Sequence, residues 1–281
     1  MEAIRQRIQT QIPDNLKQIP DTLKPKPATH LESGVDSIPA TLAPTIVSPI
    51  LATPTQGDTG AAFTVAYATP IAAPPLTVLA AFISPATYAA WNPVFPKVTV
   101  TRPAPQPVPP LLAESSVAKF KPGELLLEGS HVVFEVHLTL DPAKTTSNTA
   151  CIITVLEDFT KATAVSGGEG HRGRKGYRVA WKTTGWTPPP FLLKAERVHE
   201  FLESEDGTGT EYRCYETFFG PLAPVVRYTM LGQLEAAFTA WMEGLKCFVE
   251  TGGSISGIAD ADGNSAAAPA SAAAAAATAA S

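Results

Sequence analysis

The sequence predicts an α+β domain in which an antiparallel sheet is covered by a long C-terminal helix. A first strand-like segment, AAFTVAYATPIAAPP, is followed by short helical segments broken by prolines. Several alternating segments separated by short turn-rich loops come next, which is typical of an antiparallel meander. Residues 231–248 then carry apolar side chains at spacings of three and four, and this stripe needs a sheet to cover.

Composition is compatible with one sizeable folded domain. Of the 281 residues, 44% are hydrophobic and 17% are charged, and the formal net charge is -5. No basic stripe interleaved with aromatic residues is present, so we expect no nucleic-acid partner. The three cysteines, Cys151, Cys214 and Cys247, have no CxxC spacing, which favours buried thiols in a reducing compartment.

Both ends of the chain differ in composition from its middle. Residues 1–60 are rich in Pro and Thr, and we expect a mostly disordered N-terminal arm. Residues 61–251 form the predicted domain, and residues 252–281 are a low-complexity Ala/Ser tail. Neither a secretory signal nor an apolar run of the ~20 residues that span a bilayer is seen, so we expect a soluble, cytoplasmic protein.

The elements of the domain follow from local patterns. The first strand carries Phe63, Val65 and Tyr67 on one side. The segment PLTVLAAFISPATYAAWNPVFP predicts two short helices, broken at Pro85 and at WNP. A short strand, KVTVTRP, and a Pro-rich insertion at 101–122 come next. Five further strands are predicted in ELLLEGSHVVFEVHLTL, ACIITVLEDFT, GYRVAWKTT, LKAERVHEFLES and GTEYRCYETFF.

The last two strands form a hairpin whose register is predictable. A two-residue turn at Asp206 and Gly207 places Arg197 opposite Glu216. Alternation then assigns two faces. The face predicted to contact solvent holds Glu196, Glu200, Arg213 and Thr217. The apolar face holds Arg197, His199, Phe201, Tyr212, Cys214 and Glu216.

These segments resemble the SRPBCC superfamily, which has the START-like or Bet v 1-like helix-grip fold. The resemblance covers about residues 61–251 and is carried by WNP, GYRVAWKTTG, the GT hairpin, ETFFG and the helix ending LEAAFTAWMEGLKCFVE. Among its members, the polyketide cyclase/dehydrase type is the most similar. The resemblance implies a seven-stranded antiparallel sheet wrapped around the C-terminal helix, with two short helices and a deep apolar cavity.

The resemblance also implies a range of functions. Members typically bind lipids, sterols, polyketides or other hydrophobic molecules, some as cyclases or dehydratases and others without chemistry. The N-terminal arm and the Pro-rich insertion depart from the compact family pattern.

Arg197, Glu216 and His199 are the candidate catalytic or polar-recognition residues. A carboxylate on an apolar face is costly to keep charged unless it is paired, so these residues form either a structural ion pair or a site for the polar head of an apolar ligand. In the second case His199 could shuttle a proton near neutral pH. Ten aromatic residues are candidates to line the cavity or its mouth: Trp91, Phe95, Tyr177, Trp181, Trp186, Phe201, Tyr212, Phe218, Phe238 and Trp241.

Other motifs favour structural interpretations. Gly168, Gly170 and Gly173 match G-x-G-x-x-G but lead into a strand rather than a helix, which favours a hairpin loop over a phosphate site. The residues His131, Glu135 and His137 share one alternating face, which we interpret as a solvent face rather than a metal site. No G-x-S-x-G is present. We expect neither a metal nor a cofactor.

Three functional hypotheses remain open from the sequence. The first is binding of a lipid, sterol or polyketide in an internal cavity. The second is a polyketide cyclase or dehydratase that uses His199 as general acid/base, with Arg197 or Glu216 polarising a carbonyl or enol. The third is a protein-interaction module in which the cavity is simply core.

Overall fold

A computed structural model describes residues 27–32, 34–140, 147–160, 174–185 and 188–253. These residues form one curved sheet of nine strands in the order β1-β2-β3-β9-β8-β7-β6-β5-β4. The pairing is antiparallel throughout, except for the parallel pair β1–β2. The strands are β1 Thr29–His30, β2 Leu42–Ser48, β3 Ala61–Ile71, β4 Lys97–Arg102, β5 His131–Val136, β6 Ser147–Asp158, β7 Gly176–Thr183, β8 Lys194–Glu203 and β9 Thr210–Phe219.

Three α-helices accompany the sheet. They are α1 Pro75–Phe82, α2 Tyr88–Trp91 and α3 Ala223–Glu250. Short 3-10 turns lie at Gly34–Ser37, Pro85–Thr87, Pro110–Leu112 and Pro122–Glu124. None of the helices in the described ranges has both the length and the apolar character needed to cross a membrane.

The main core lies between the sheet and α3. The helix buries Leu234, Phe238, Trp241 and Leu245 along one side, as the spacing of its apolar residues predicts. Helix α1 inserts Phe82 beneath it, with its ring centroid 5.9 Å from that of Trp241. The predicted α+β class, with a sheet around a long C-terminal helix, is therefore confirmed.

The seven predicted strands correspond to β3–β9, but the sheet is larger by two strands. Strands β1 and β2 come from the region 1–60 that we expected to be mostly disordered, so that expectation is wrong for its described part. Strand β2 pairs with β3, with Ile46 opposite Val65. The Pro-rich composition of this region does not indicate a strand. Strand β2 is stabilised by its pairing with β3 rather than by its own sequence. Residues 1–26 and 254–281 lie outside the described ranges.

The predicted register of the β8–β9 hairpin is confirmed. Arg197 faces Glu216 and Glu200 faces Arg213. The ladder ends at Glu203 and Thr210, so Asp206 and Gly207 lie inside the loop 204–209 and the predicted two-residue turn is wrong. Gly207 adopts a φ of 71°, the left-handed conformation that glycine tolerates best.

The face of this hairpin that we predicted to contact solvent is in fact buried. Glu196, Glu200 and Thr217 are 0% exposed, and Arg213 is 6% exposed. The N-terminal segment 34–60 covers them as a second layer. Its contacts could not be inferred from alternation along β8 and β9, because they come from residues about 140 positions away.

The layer supplies hydrogen bonds to polar groups beneath it. The Glu196 carboxylate accepts hydrogen bonds from the backbone N–H groups of Thr55 (3.1 Å) and Gln56 (3.0 Å). It also accepts from the hydroxyls of Thr55 and Thr154, each at 3.0 Å. The Thr217 hydroxyl donates to the carbonyl of Leu51 at 2.9 Å.

Apolar contacts complete the layer as a second, smaller core. Its members come from the N-terminal segment and from the outer face of the sheet. They are Leu31, Ile38, Val47, Leu51, Ala66, Ala68, Ala180, Val198 and Tyr215.

Helix α3 approaches α2 closely at Gly244. A Cβ on Gly244 would lie 2.0 Å from the carbonyl oxygen of Trp91, which is incompatible with van der Waals contact. Gly232 lies in the same helix, and a Cβ there would meet nothing within 4 Å. Substitutions at these two glycines therefore distinguish the effect of close packing, at Gly244, from the effect of helix propensity, at Gly232.

We predict opposite effects for alanine at these two glycines. Gly244→Ala forces α2 and α3 apart and should lower the free energy of unfolding by roughly 2 kcal/mol or more. Gly232→Ala should raise it by about 0.5–1 kcal/mol, because alanine is the better helix former. Urea denaturation measures both, and equal effects of the two variants would contradict the close approach.

We also predict that the outer layer depends on Glu196. Glu196→Ala leaves buried N–H and hydroxyl donors of residues 55, 56 and 154 without their acceptor, and should cost about 2–3 kcal/mol of stability. Glu205→Ala, in the exposed hairpin loop, is the matched control and should change stability by less than about 0.5 kcal/mol. A Glu196→Ala protein as stable as this control would show that the layer contributes no net stability through this carboxylate.

Candidate functional site

A cavity of about 400 Å³ lies between the middle of α3 and the β5–β9 side of the sheet. The loop between β7 and β8 contributes Pro188, Pro190 and Leu193 to its wall. Most of the remaining lining is apolar. It comprises Val94, Phe95, Val136, Leu138, Ala150, Ala195, Phe218, Leu234, Ala237 and Phe238, with Asn148, Thr149, Thr183, Thr184, Gly185, Lys194, Arg197 and Glu216.

Arg197 and Glu216 form a buried ion pair in this wall. They lie opposite each other on β8 and β9, so the sheet register itself brings them together. Arg197 donates from Nε (3.0 Å) and Nη2 (2.6 Å) to the same carboxylate oxygen, Oε2 of Glu216. Burial lowers the pKa of Arg197, but the Glu216 carboxylate more than offsets this, and the pKa is raised above its ordinary value. The guanidinium is therefore a permanent cation.

Three aromatic rings surround this guanidinium. Its carbon Cζ lies 4.4 Å from the ring centroid of Phe238 and 5.6 Å from those of Phe95 and Trp241. Such cation–π contacts strengthen when the cation is desolvated. The third nitrogen, Nη1, is buried and has no hydrogen-bond partner among the described residues. An unsatisfied donor thus lies beside the cavity.

His199 is part of a hydrogen-bonded chain behind this pair. The indole Nε1 of Trp241 can only donate, and it donates to the Tyr212 hydroxyl oxygen at 2.9 Å. The Tyr212 hydroxyl is therefore free to donate to Nδ1 of His199, 2.8 Å away. This network assigns the proton of the neutral imidazole to Nε2.

The surroundings of His199 are apolar. Its ring centroid lies 4.4 Å from that of Trp181 and 4.5 Å from that of Phe82. Burial lowers the pKa of His199 well below its ordinary value, and the Arg197 cation lowers it further. His199 is 0% exposed and is not among the residues that line the cavity.

The ten predicted aromatic residues divide between cavity and core. Phe95, Phe218 and Phe238 line the cavity. Six others pack into the buried core without lining it, namely Trp91, Tyr177, Trp181, Phe201, Tyr212 and Trp241. Trp186, the tenth candidate, lies outside the described residues.

Some cavity residues were not predicted as site residues. Leu234 and Ala237 lie on the helix, and the apolar stripe already placed Leu234 towards the sheet. Val94 follows the WNP motif. Its backbone N–H donates a hydrogen bond to Oδ1 of Asn92 at 3.1 Å. The wall residues Pro188, Pro190 and Leu193 had no sequence signal beyond the apolar composition of their loop.

The remaining motifs have the following positions. Gly168, Gly170 and Gly173 lie outside the described residues. His137 and Glu135 bond each other through Nε2 and Oε1 at 3.0 Å, and the described residues contain no group of three His, Cys, Asp or Glu side chains placed to hold a metal.

The cysteines follow the expectation of burial in two cases of three. Cys151 and Cys214 are buried, whereas Cys247 is exposed on α3, so burial is wrong for Cys247. Desolvation raises the pKa of Cys214 to about 12, which keeps this thiol protonated.

No protein-family model and no curated protein matches the chain. Solved structures do match it. A START superfamily protein from Mycobacterium smegmatis is 11% identical, with a TM-score of 0.42 over 67% of this chain and 97% of that one. Ara h 8.0201 is 14% identical, with a TM-score of 0.41 over 67% and 97%. Norcoclaurine synthase from Thalictrum flavum is 9% identical, with a TM-score of 0.38 over 72% and 95%.

We predict that His199 makes stability depend on pH. Its pKa is lowered in the folded protein, so the unfolded chain binds a proton first as pH falls below about 6.5. The free energy of unfolding should therefore fall below that pH, by up to about 1.4 kcal/mol per pH unit from this group. Urea denaturation across pH measures the slope.

His199→Asn is the variant for this test, since asparagine keeps a polar group near the position of Nδ1. It should remove the His199 contribution to the slope. A slope shared by wild type and His199→Asn would contradict the buried, neutral imidazole.

Proposed function

We propose that the protein binds a hydrophobic small molecule in this cavity. The observation that carries the proposal is a largely apolar cavity of about 400 Å³ with a buried ion pair in its wall. This volume falls within the roughly 300–1,000 Å³ typical of small-molecule sites. Such sites combine apolar walls with a few placed polar groups, and the lining has this composition.

The apolar part of the wall supports the affinity. Phe95, Phe218, Phe238 and Leu234 would cover an apolar ligand, and burial stabilises by about 25 cal/mol per Å² of apolar surface. Phe218 is held from behind by a stacked contact with Phe63, with ring centroids 4.6 Å apart. A wall that is fixed before binding reduces the entropy lost on association.

The buried ion pair supports recognition more than stability. A buried salt bridge is often no more stabilising than well-packed apolar residues of similar volume. Arg197 and Glu216 lie at the cavity and retain only 6% and 11% of their side-chain exposure. We propose that they orient the polar group of an otherwise apolar ligand such as a lipid, sterol or polyketide.

Binding without chemistry is the function favoured here over a cyclase or dehydratase. A general acid or base must lie within hydrogen-bond reach of the atom it acts on, directly or through one water. His199 is enclosed behind the cavity wall, and its lowered pKa keeps it neutral near pH 7. The enzyme alternative would therefore depend on Arg197 and Glu216 polarising a carbonyl or enol.

Native mass spectrometry of the purified full chain tests the proposal first. A retained small molecule, released by solvent extraction and identified as apolar with one polar end, is the expected result. If no mass is retained and no thermal shift occurs across a panel of lipids and aromatic polyketides, the cavity is not a binding site, and the interaction-module hypothesis is favoured instead.

We predict that filling the cavity blocks binding. Ala195 lines the cavity on the same face of β8 as Arg197, and Ala195→Phe places a phenyl ring in space that the ligand would occupy. Affinity for the co-purified ligand should fall by about tenfold or more, because the displaced contacts are worth at least 1.4 kcal/mol. The matched control is Ala236→Phe, at an exposed position on α3, which should bind as wild type does. Equal affinities of the two variants would place the ligand elsewhere.

A further inference from the structure

We infer that residues 1–12 dock as an amphipathic helix on an exposed apolar patch at the start of α3. The patch consists of Phe191, Leu222, Val225 and Tyr228. The inference goes beyond the proposed function, because it concerns the outside of the domain and requires no ligand in the cavity.

Exposed large apolar side chains are concentrated at this patch. Among the described residues five such side chains are exposed, and four of the five belong to the patch. Phe191, Val225 and Tyr228 are exposed by 69%, 53% and 50%. Single exposed apolar residues are normal on a protein surface, whereas a cluster of them indicates an interaction surface.

Local structure brings the four side chains together. Leu222, Val225 and Tyr228 are three positions apart, so they form a row along the first two turns of α3. The backbone N–H of Leu222 donates to the carbonyl of Leu192 at 3.0 Å, which places the adjacent Phe191 beside the start of the helix.

The patch has little charge around it. Residues 221–234 contain a single charged side chain, Arg227, and residues 188–193 contain none. A charged partner would therefore find no complement here, and an apolar partner fits the patch better.

The N-terminus of the chain carries an apolar stripe of the required kind. Residues 1–12 lie outside the described ranges, and their sequence places Ile4, Ile8 and Ile12 four positions apart, on one face of a helix that Pro13 ends. A helix of this length is marginal by itself in water, so it depends on packing for its stability. A row at spacing four interlocks with a row at spacing three, which is the spacing of the row on α3.

The chain is long enough to bring this stripe to the patch. Thr29 pairs with Val47, which pairs with Thr64 of β3. Thr64 in turn pairs with Thr217 of β9, so three strand spacings of about 4.8 Å separate Thr29 from Thr217 by about 14 Å. Leu222 lies five residues further on, at most about 18 Å away. The segment between the stripe and Thr29 spans up to roughly 55 Å, which exceeds the sum of these distances.

Other segments fit the patch less well. Helix α3 has 28 residues, so its C-terminal end lies about 42 Å from the patch. Residues 259–281 carry no apolar side chain larger than alanine or proline. A covalent tether also gives the N-terminal stripe an effective concentration on the order of millimolar, which favours it over a second copy of the chain.

Paramagnetic relaxation enhancement in the full chain tests the inference. Cys151 and Cys214 are buried and Cys247 is exposed, so a nitroxide is attached at Gln6→Cys in a Cys247→Ser background. Gln6 lies on the side of the helix opposite the three isoleucines, and a label there leaves the stripe free to dock.

The expected result is broadening at the patch alone. If the intrinsic Kd of docking is millimolar or tighter, the segment is docked for about half of the time or more. The methyl signals of Leu222 and Val225 should then fall by about twofold or more. The methyl signals of Val249, roughly 36 Å further along α3, should be unchanged.

Two double variants assign the broadening to the apolar contact. Ile4→Asp with Ile8→Asp keeps the tether and the label but makes the stripe polar, and it should reduce the broadening at the patch to the level at Val249. The matched control is Gln9→Asp with Thr10→Asp, which adds the same two charges away from the stripe. It should keep the broadening.

A variant on the other side of the contact completes the test. Val225→Asp changes an exposed residue, so the domain should fold as wild type does. It should release the labelled segment, with the signals of Leu222 restored. Broadening of Leu222 that survives this change would contradict docking on the patch.

Three further outcomes would overturn the inference. Broadening that is equal with and without Ile4→Asp and Ile8→Asp would come from the tether alone. Broadening seen only between a spin-labelled chain and a separate isotope-labelled chain would make a second copy the occupant. Absence of broadening, with the patch signals lost instead on addition of phosphatidylcholine vesicles, would make a lipid surface the occupant. None of these results bears on ligand binding in the cavity, which native mass spectrometry tests separately.

Discussion

The antiparallel register of β8 and β9 is the constraint on which the rest of the structure depends. These strands lie at the centre of the sheet, and every residue of β9 is buried. Their register places Arg197 opposite Glu216 on the inner face and Glu200 opposite Arg213 on the outer face. A slip by one residue would transfer every side chain to the other face and leave buried charges without partners.

Because both faces of this hairpin carry charge, both need a cover that supplies hydrogen bonds. On the outer face, the segment 34–60 brings backbone N–H groups to Glu196 and a carbonyl group to Thr217. On the inner face, Arg197 and Glu216 satisfy much of each other's hydrogen-bonding capacity, and aromatic rings cover the guanidinium. The outer face of the hairpin is thus covered by backbone groups that form hydrogen bonds, and the inner face by an ion pair and aromatic rings.

The inner face also explains why core and cavity coexist. Towards one end, Phe82, Trp181, His199 and Trp241 pack against one another and leave no space for a ligand. Towards the other end, the middle of α3 and the loop before β8 leave the cavity open around Phe218 and Phe238. The ion pair lies at the boundary between the two regions, which is where a polar group in an apolar site can select among ligands.

The sequence by itself determined the elements and their local pairing. Period-two alternation, turn residues and the apolar stripe of α3 are local signals, and they were sufficient for the α+β class, strands β3–β9 and the Arg197–Glu216 pair. Tertiary structure alone decided that strands β1 and β2 complete the sheet, and that Glu196 and Glu200 are buried. It also decided that His199 lies behind the wall while Phe95 lines it. The burial of Glu196 depends on contacts with residues more than a hundred positions away, and the pattern of a single strand carries no information about what covers it.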